Sequence, residues 1–245
     1  MARILDGKKA LVTGGASGIG RAIATAFVDG GAVVTIADRN PDIALLATEI
    51  GAKRGEILEA TSETDVDALV SSIVAADGGL DILVCSHGIL TQSASVDMST
   101  RQWQETIDVD LTAVFLLNRA ALRPMLEQRS GRIINIASQL AIKGGVSLAH
   151  YAAAKAGVIA MTKSIALETS QHGVLVNVIA PGPIDTPMVA GIDEQWKLSK
   201  RAELPLGRFG TPEEIAPTAV LLASDPGGNL YVGQVLGPNS GDVMP

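Results

Sequence analysis

The chain has 245 residues, 47% of them hydrophobic and 18% charged, with a formal net charge of −7. That apolar content can bury a full core, the acidic balance argues against a general nucleic-acid surface, and no apolar run reaches the roughly 18 residues of a membrane span. One cysteine, Cys85, cannot form an internal disulfide, and with three histidines it offers no ligand-spaced zinc cluster, so no metal is expected.

The N-terminal Met-Ala-Arg-Ile-Leu-Asp lacks the apolar core of a signal peptide, and a cytoplasmic protein is expected. Lys8–Thr13 reads as a short buried strand, followed by the turn Gly14-Gly-Ala-Ser-Gly-Ile-Gly20 and a helical stretch over Arg21–Val28. Strand, glycine-rich turn and helix suit a dinucleotide. Glycines let a pyrophosphate approach the backbone, and the helix N-terminus supplies unpaired N–H groups and positive potential. A second strand, Ala32–Ala37, ends in Asp38-Arg39. An acidic residue roughly 20 residues past the glycines is placed to accept hydrogen bonds from the adenosine ribose and to repel a 2′-phosphate. Asp38 therefore favours NAD, while Arg39, which could clamp a phosphate, leaves NADP open.

Further strands are predicted near Glu56–Leu58, Asp81–Cys85, Arg132–Ala137, Leu175–Ile179 and Tyr231–Leu236, with helices between them. Ser99-Thr-Arg-Gln102 is a capping box for a long helix through Trp103, Phe115 and Arg123. Thr211-Pro-Glu-Glu214 is another, with Pro212 at the favoured first position. Such alternation gives a parallel sheet with helices on both faces and ligands at the carboxyl ends of the strands. No linker or compositional break divides the chain, and one domain over 1–245 is expected.

Tyr151 and Lys155 stand four residues apart in a stretch that reads as helix to about Ser170. Positions i and i+4 share a face, so the ammonium can sit beneath the phenol. A phenol with a pKa near ~10 is a poor base at neutral pH; a neighbouring cation favours the phenolate, and Lys155 is expected to lower the pKa of Tyr151. The same helix has small or apolar residues on more than one side, among them Ala152, Ala154, Val158, Ile159, Met161, Ile165 and Leu167. A helix without a clear polar face is buried on both sides, so one side calls for a partner.

Taken together these motifs resemble the short-chain dehydrogenase/reductase family along nearly the whole chain. Thr13-Gly14-x-x-x-Gly18-x-Gly20 is similar to that family's cofactor motif. Ser138, thirteen residues before Tyr151, and Tyr151-x-x-x-Lys155 are similar to its catalytic set. Asn177-Val-Ile-Ala-Pro181-Gly182 followed by Thr186 is similar to its nicotinamide loop. The resemblance implies a Rossmann-like α/β fold, a single-domain, doubly wound parallel sheet of about seven strands. It implies hydride transfer between a nicotinamide cofactor and a secondary alcohol or ketone. Tyr151 would be general acid/base, Lys155 would lower its pKa and hold the nicotinamide ribose, and Ser138 would donate to the substrate oxygen. Cofactor contacts are expected from Gly14, Ser17, Gly18, Ile19, Gly20, Asp38, Arg39, Glu59, Ala60, Ser86, Gly88, Tyr151, Lys155, Pro181, Gly182, Ile184 and Thr186. The family's interface helices imply a homotetramer, with a dimer as the alternative.

Three positions depart from the family's pattern. Asp110, in Val109-Asp110-Leu111, stands where an Asn usually helps order a water leading to the lysine. Cys85-Ser86-His87-Gly88 replaces Asn-Asn-Ala-Gly, and Glu59 replaces an Asp that meets the adenine edge. A structural role for His87 and Asn177 is the expected one. The segment 185–209 is the natural lid, and Gln139, Leu140, His150, Ile184, Met188 and Trp196 are candidate substrate contacts. Lys197, Lys200 and Arg201 on that lid suit either an anionic substrate or a solvated helix face. The runner-up activity is an NADPH-dependent 3-oxoacyl thioester reductase; a cofactor-binding subunit without turnover is the reading from another class.

Overall fold

The computed structural model describes residues 3–191 and 193–244. Its seven strands are β1 Lys9–Thr13, β2 Val33–Asp38, β3 Arg54–Ile57, β4 Ile82–Cys85, β5 Gly131–Ile136, β6 Val174–Ile179 and β7 Val235–Leu236. All pair in parallel in the order β3-β2-β1-β4-β5-β6-β7, the doubly wound Rossmann-like sheet expected from the sequence. β4 and β6 are buried along their whole length, as strands covered on both faces must be. The edge strand β3, Arg-Gly-Glu-Ile, has no fully buried residue.

One helical layer is formed by α1 Gly18–Asp29, α2 Ile43–Glu49 and α10 Pro212–Ala223, whose Ile23, Phe27, Ile43, Ile215 and Leu222 pack with Val12, Ile36 and Val84 of the sheet. The opposite layer is formed by α3 Glu63–Asp77, α5 Ala113–Gln128 and α7 Ala149–Thr169, whose Val66, Leu69, Leu117 and Val158 pack with Leu11, Leu83 and Val176. Each fully buried aliphatic side chain stabilises the fold by about 1.5–3 kcal/mol. Alternation along each strand sends neighbouring residues to opposite cores.

The helix predicted to run unbroken from Ser99 through Arg123 is two helices, α4 Thr100–Ile107 and α5, joined by a π-helical turn over Asp108–Thr112. Its start is as expected: Ser99 Oγ accepts from Gln102 N–H at 3.2 Å, and Gln102 Oε1 accepts from Ser99 N–H at 3.2 Å. The extra residue in the π turn moves the following side chains round the axis by about 100°. Asp110 sits within that turn, fully buried.

The last strand is shorter than predicted. Only Val235–Leu236 pair with β6. The preceding segment from Tyr231 keeps two backbone hydrogen bonds to β6, Gly233 N–H to Val176 O at 3.0 Å and Val178 N–H to Gln234 O at 2.9 Å, and is also held by a side chain: Asn177 Nδ2 donates to Tyr231 O at 2.8 Å, and Gln234 N–H donates to Asn177 Oδ1 at 2.9 Å. Asn177 is thereby a structural hydrogen bonder, as its place in β6 suggested.

A buried polar knot sets the height of α7 over the sheet. Asn118 and Asn135 exchange amide hydrogen bonds at 2.8 and 3.0 Å, and Asn135 also donates to Thr162 Oγ1 at 3.0 Å. Satisfied buried hydrogen bonds contribute about 1 kcal/mol each and specify one arrangement. This one ties α5, β5 and α7 together beneath the cleft described next.

Candidate active site

The carboxyl ends of the strands open on a cleft of about 680 Å³. It lies where the strand order reverses between β1 and β4, the place at which open parallel sheets bind ligands. One end is formed by the glycine turn. Gly14 has φ +67° and Gly18 φ +53°, conformations that suit glycine, and a Cβ on Gly14 would lie 2.7 Å from the Ser86–His87 peptide. Ser17 caps α1 without a side-chain hydrogen bond to its first turn, which leaves those amides for an anion. Asp38 Oδ2 accepts from Ala16 N–H at 3.2 Å and Oδ1 from Asn40 N–H at 3.1 Å, so β2 is tied to the glycine turn while Asp38 and Arg39 line the cleft. Ile19, Gly20, Ala60, Ser86 and Gly88 continue this wall, and Pro181, Gly182, Ile184 and Thr186 face it.

Ser138, Tyr151 and Lys155 converge further along. Ser138 follows β5 and its Oγ accepts from Leu140 N–H at 3.1 Å. Tyr151 and Lys155 lie one turn apart on α7, both buried, with Lys155 Nζ 5.7 Å from the Tyr151 ring centre and donating to Ile136 O at 3.4 Å. Behind them, outside the cleft lining, Asp110 Oδ2 lies 3.7 Å from Lys155 Nζ, and Asp110 Oδ1 accepts from Ile89 N–H at 2.8 Å. The backbone of Gly88 covers the pair: a Cβ there would lie 3.2 Å from Asp110 Oδ1 and 3.3 Å from Lys155 Nζ.

The electrostatic balance differs from the expectation for Tyr151. Burial raises the phenol above its ordinary value; Lys155 and a Ser138 hydrogen bond pull it down, Asp110 pushes it up, and the sum is upward. Lys155 therefore offsets part of the desolvation rather than setting the direction. Burial also raises the carboxyl of Asp110, against the pull of Lys155.

A family model described as "Enoyl-(Acyl carrier protein) reductase" matches residues 14–241. The chain is 38% identical to the 3-oxoacyl-(acyl-carrier-protein) reductase FabG of Vibrio cholerae over 250 residues, covering 98% of this chain and 99% of that one. It is 38% identical to the FabG of Aquifex aeolicus, covering 97% and 98%. Among solved structures, a short-chain type dehydrogenase/reductase from Mycobacterium marinum superposes with a TM-score of 0.93 at 33% identity, covering 99% and 98%. The chain belongs to the short-chain dehydrogenase/reductase family. It is an NAD(P)-dependent oxidoreductase. A candidate NAD(P)-dependent gluconate 5-dehydrogenase from Beutenbergia cavernae, whose structure holds NADP at low occupancy, also superposes at 0.93 with 34% identity, covering 98% of each chain.

Within this short-chain dehydrogenase/reductase the atypical positions have definite places. His87 lines the cleft, its Nδ1 lies 2.8 Å from Thr13 Oγ1, and its buried Nε2 has no hydrogen-bond partner. Burial, helped by the charge of Lys155, pushes its pKa down to about 3, so the ring is neutral. Glu59 lines the cleft but turns its carboxylate back on Thr61, whose Oγ1 and N–H donate at 2.7 and 3.2 Å, and the Thr61 hydroxyl keeps its pKa low. Cys85 is buried in the core, where desolvation pushes its thiol up.

Of the expected substrate contacts, Gln139, Leu140, Ile184, Met188 and Trp196 line the cleft. His150 does not. It is fully buried, with Nε2 2.8 Å from Thr91 Oγ1. Adjacent residues of a helix point about 100° apart, so with Tyr151 toward the cleft His150 turns into the protein. The 185–209 segment contains α8 Pro187–Ala190 and α9 Glu194–Glu203, separated by residues that include the undescribed 192. Of its cations only Lys200 lines the cleft; Lys197 is buried against Ala190 O and Glu194, and Arg201 lies over the Phe209 ring. Lys143, Val146 and Gln92 also line the cleft, and no motif marked them. Among the described residues no helix is long and apolar enough to cross a membrane.

Proposed function

We propose that this protein interconverts a secondary alcohol and its ketone, with NAD as the preferred cofactor. The convergence of Ser138, Tyr151 and Lys155 beside the glycine turn carries the reading. A bound nicotinamide supplies hydride transfer. The Tyr151 oxygen takes the alcohol proton during oxidation and returns it to the carbonyl oxygen during reduction. Ser138 Oγ–H donates to that same oxygen as its charge develops. Lys155 steadies the phenolate and holds the nicotinamide ribose, and Asp110 behind it completes the set. Burial keeps Tyr151 protonated at neutral pH, so the phenol is ready to donate in the reductive direction.

The cofactor contacts are assigned to Gly14, Ser17, Gly18, Ile19, Gly20, Asp38, Arg39, Glu59, Ala60, Ser86, Gly88, Tyr151, Lys155, Pro181, Gly182, Ile184 and Thr186. Asp38 supports NAD, since its carboxylate lines the cleft at the end of β2. Two observations favour a second reading, an NADPH-dependent 3-oxoacyl thioester reductase: the curated relatives carry a 3-oxoacyl-(acyl-carrier-protein) reductase name, and the Beutenbergia neighbour holds NADP. Exposed Phe115 and Leu167, 42% and 82% accessible on α5 and α7, support a homotetramer built on those helices. The single buried cysteine supports a cytoplasmic setting. Segment 185–209 is assigned as the substrate lid, with Gln139, Leu140, Met188 and Trp196 at the substrate.

The test follows nicotinamide absorbance with NAD(H) and NADP(H) over secondary alcohols, polyols and oxoacyl thioesters. One class should turn over, and Tyr151→Phe should lose roughly 10²–10⁴-fold in kcat while cofactor binding is kept. Unchanged turnover in that variant rejects the mechanism.

A further inference from the structure

Four side chains from distant parts of the chain meet at the wall beside Ser138. Gln139 and Lys143 bound α6 Leu140–Lys143, Lys200 lies on α9, and Asp242 lies in the tail after β7. Asp242 Oδ2 accepts from Lys143 Nζ at 2.7 Å and from Gln139 Nε2, and its Oδ1 accepts from Lys200 Nζ at 2.8 Å. Gln139, Lys143 and Lys200 line the cleft, and Asp242 stands behind them. The tail is fixed on two sides. Gly182 N–H donates to Pro238 O at 3.1 Å, and Leu206 N–H donates to Ser240 O at 3.3 Å.

The side chains of Asp242 and Lys200 are 8% and 13% accessible and that of Lys143 is 31%. Two ammoniums thus share one buried carboxylate. Burial raises the carboxyl of Asp242, but its hydrogen bonds from Lys143, Lys200 and Gln139 outweigh this and hold its pKa below the usual range, so it stays charged. A second carboxylate, Glu203, also lines the cleft and meets Lys200 at 3.1 Å from a side chain 62% exposed, where water screens the pair. Lys143 and Lys200 thus bring two ammoniums with spare N–H donors to the cleft lining, beside the exposed Glu203. Gln139 adds a second feature: it is 4% exposed, and its buried Oε1 has no hydrogen-bond partner.

We propose that Lys143 and Lys200 form an anion subsite of the substrate cleft, so that the substrate is a hydroxy or oxo compound carrying a negatively charged group. Its carbinol or carbonyl sits at Ser138 and Tyr151, its anion meets the two ammoniums, and a substrate hydroxyl donates to Gln139 Oε1. This inference rests on the alcohol–ketone reading above and narrows it. The charged group has two chemical sources, a carboxylate on a small hydroxy acid or a phosphate on an acyl thioester carrier.

The experiment uses matched substrates with wild type, Lys143→Met and Lys200→Met. One arm compares hydroxycarboxylates with their methyl esters; the other compares acyl-coenzyme A thioesters with N-acetylcysteamine thioesters. The arm in which wild type prefers the charged member names the source. In that arm, each Met variant should cut the charged-to-neutral ratio of kcat/KM about tenfold, mainly through KM, and Lys200→Arg should retain it. The preference should also weaken as salt rises. Fluorescence titration with NADH reports whether each variant keeps its fold and cofactor site. Turnover without charge preference, or equal loss on both members in the variants, overturns the subsite alone. Absence of turnover in every arm, with NADH bound, overturns the alcohol–ketone reading and the subsite with it.

Discussion

Lys155 Nζ lies 3.7 Å from Asp110 Oδ2, with 4% and 0% of the two side chains accessible. The separation is longer than a hydrogen bond, so the contact is a charge pairing in a desolvated site rather than a clamp. Its effect reaches the phenol, because the negative charge of Asp110 raises the pKa of Tyr151.

Replacing the carboxylate by an amide tests that coupling. Asp110→Asn keeps an acceptor for the Ile89 amide and removes the charge. The phenol pKa then falls, and alcohol oxidation, which needs the phenolate, gains rate at lower pH. The alkaline rise of kcat/KM for oxidation should move down by about one pH unit. A pH–rate profile checks it, and an upward move or none contradicts the coupling.

The peptide at Gly88 is the second place to probe the pair. An added methyl would press on Asp110 Oδ1 at 3.2 Å and Lys155 Nζ at 3.3 Å. Gly88 does not have a positive φ among the glycines that do, so Gly88→Ala carries no left-handed strain. We expect a folded protein, destabilised by about 1–3 kcal/mol from local overpacking, with kcat reduced at least tenfold. Thermal melts and steady-state kinetics on one preparation separate the two effects. Wild-type kcat in the variant would mean that the Lys155–Asp110 geometry is not required.

Much of this was legible in the chain because local rules decide it. Short apolar strands before Gly14 and Asp38 reveal β1 and β2, since a strand covered on both faces has little room for polar residues. The spacing from Ser138 to Tyr151 and Lys155 brings the three together because a short connection carrying only the single-turn α6 links β5 to α7. The π turn at Asp108–Thr112 was not legible: neither Gly nor Pro interrupts the helical pattern there. His150 was misplaced because helix phase, not proximity to Tyr151, decides which way it points. The direction of the Tyr151 shift depends on weighing burial against Lys155, which spacing does not reveal. Asp242 meets Gln139 and Lys143 across some hundred positions of chain, and no local pattern marks such a contact.

Asp38 combines two tasks that one substitution can separate. Its carboxylate accepts from Ala16 and Asn40 amides and also lines the cleft. Asp38→Asn keeps one oxygen for a backbone amide and removes the charge that opposes a 2′-phosphate. The ratio of kcat/KM with NAD to that with NADP should fall by roughly 10–100-fold, as expected when a like-charge contact of a few kcal/mol is removed. An unchanged ratio would show that Arg39 or another group sets the preference.

His87 gives the fold an acid sensitivity of its own. In the folded chain its pKa is about 3, lowered first by burial and then by the charge of Lys155, whereas an unfolded histidine titrates near ~6.5. Between those values the unfolded chain binds a proton that the folded chain refuses. Stability contributed by the neutral ring is therefore present above ~6.5 and declines as pH falls, by up to about 1.4 kcal/mol per pH unit. His87→Asn retains a polar partner for Thr13 Oγ1, which lies 2.8 Å from the ring nitrogen, but has no proton to bind. Urea unfolding at pH 7 and pH 5 should show the wild type losing about 2 kcal/mol more than the variant over that interval. Equal losses would mean that His87 accepts its proton in the folded state, with the ring hydrated at Nε2 instead of sealed in the cleft floor.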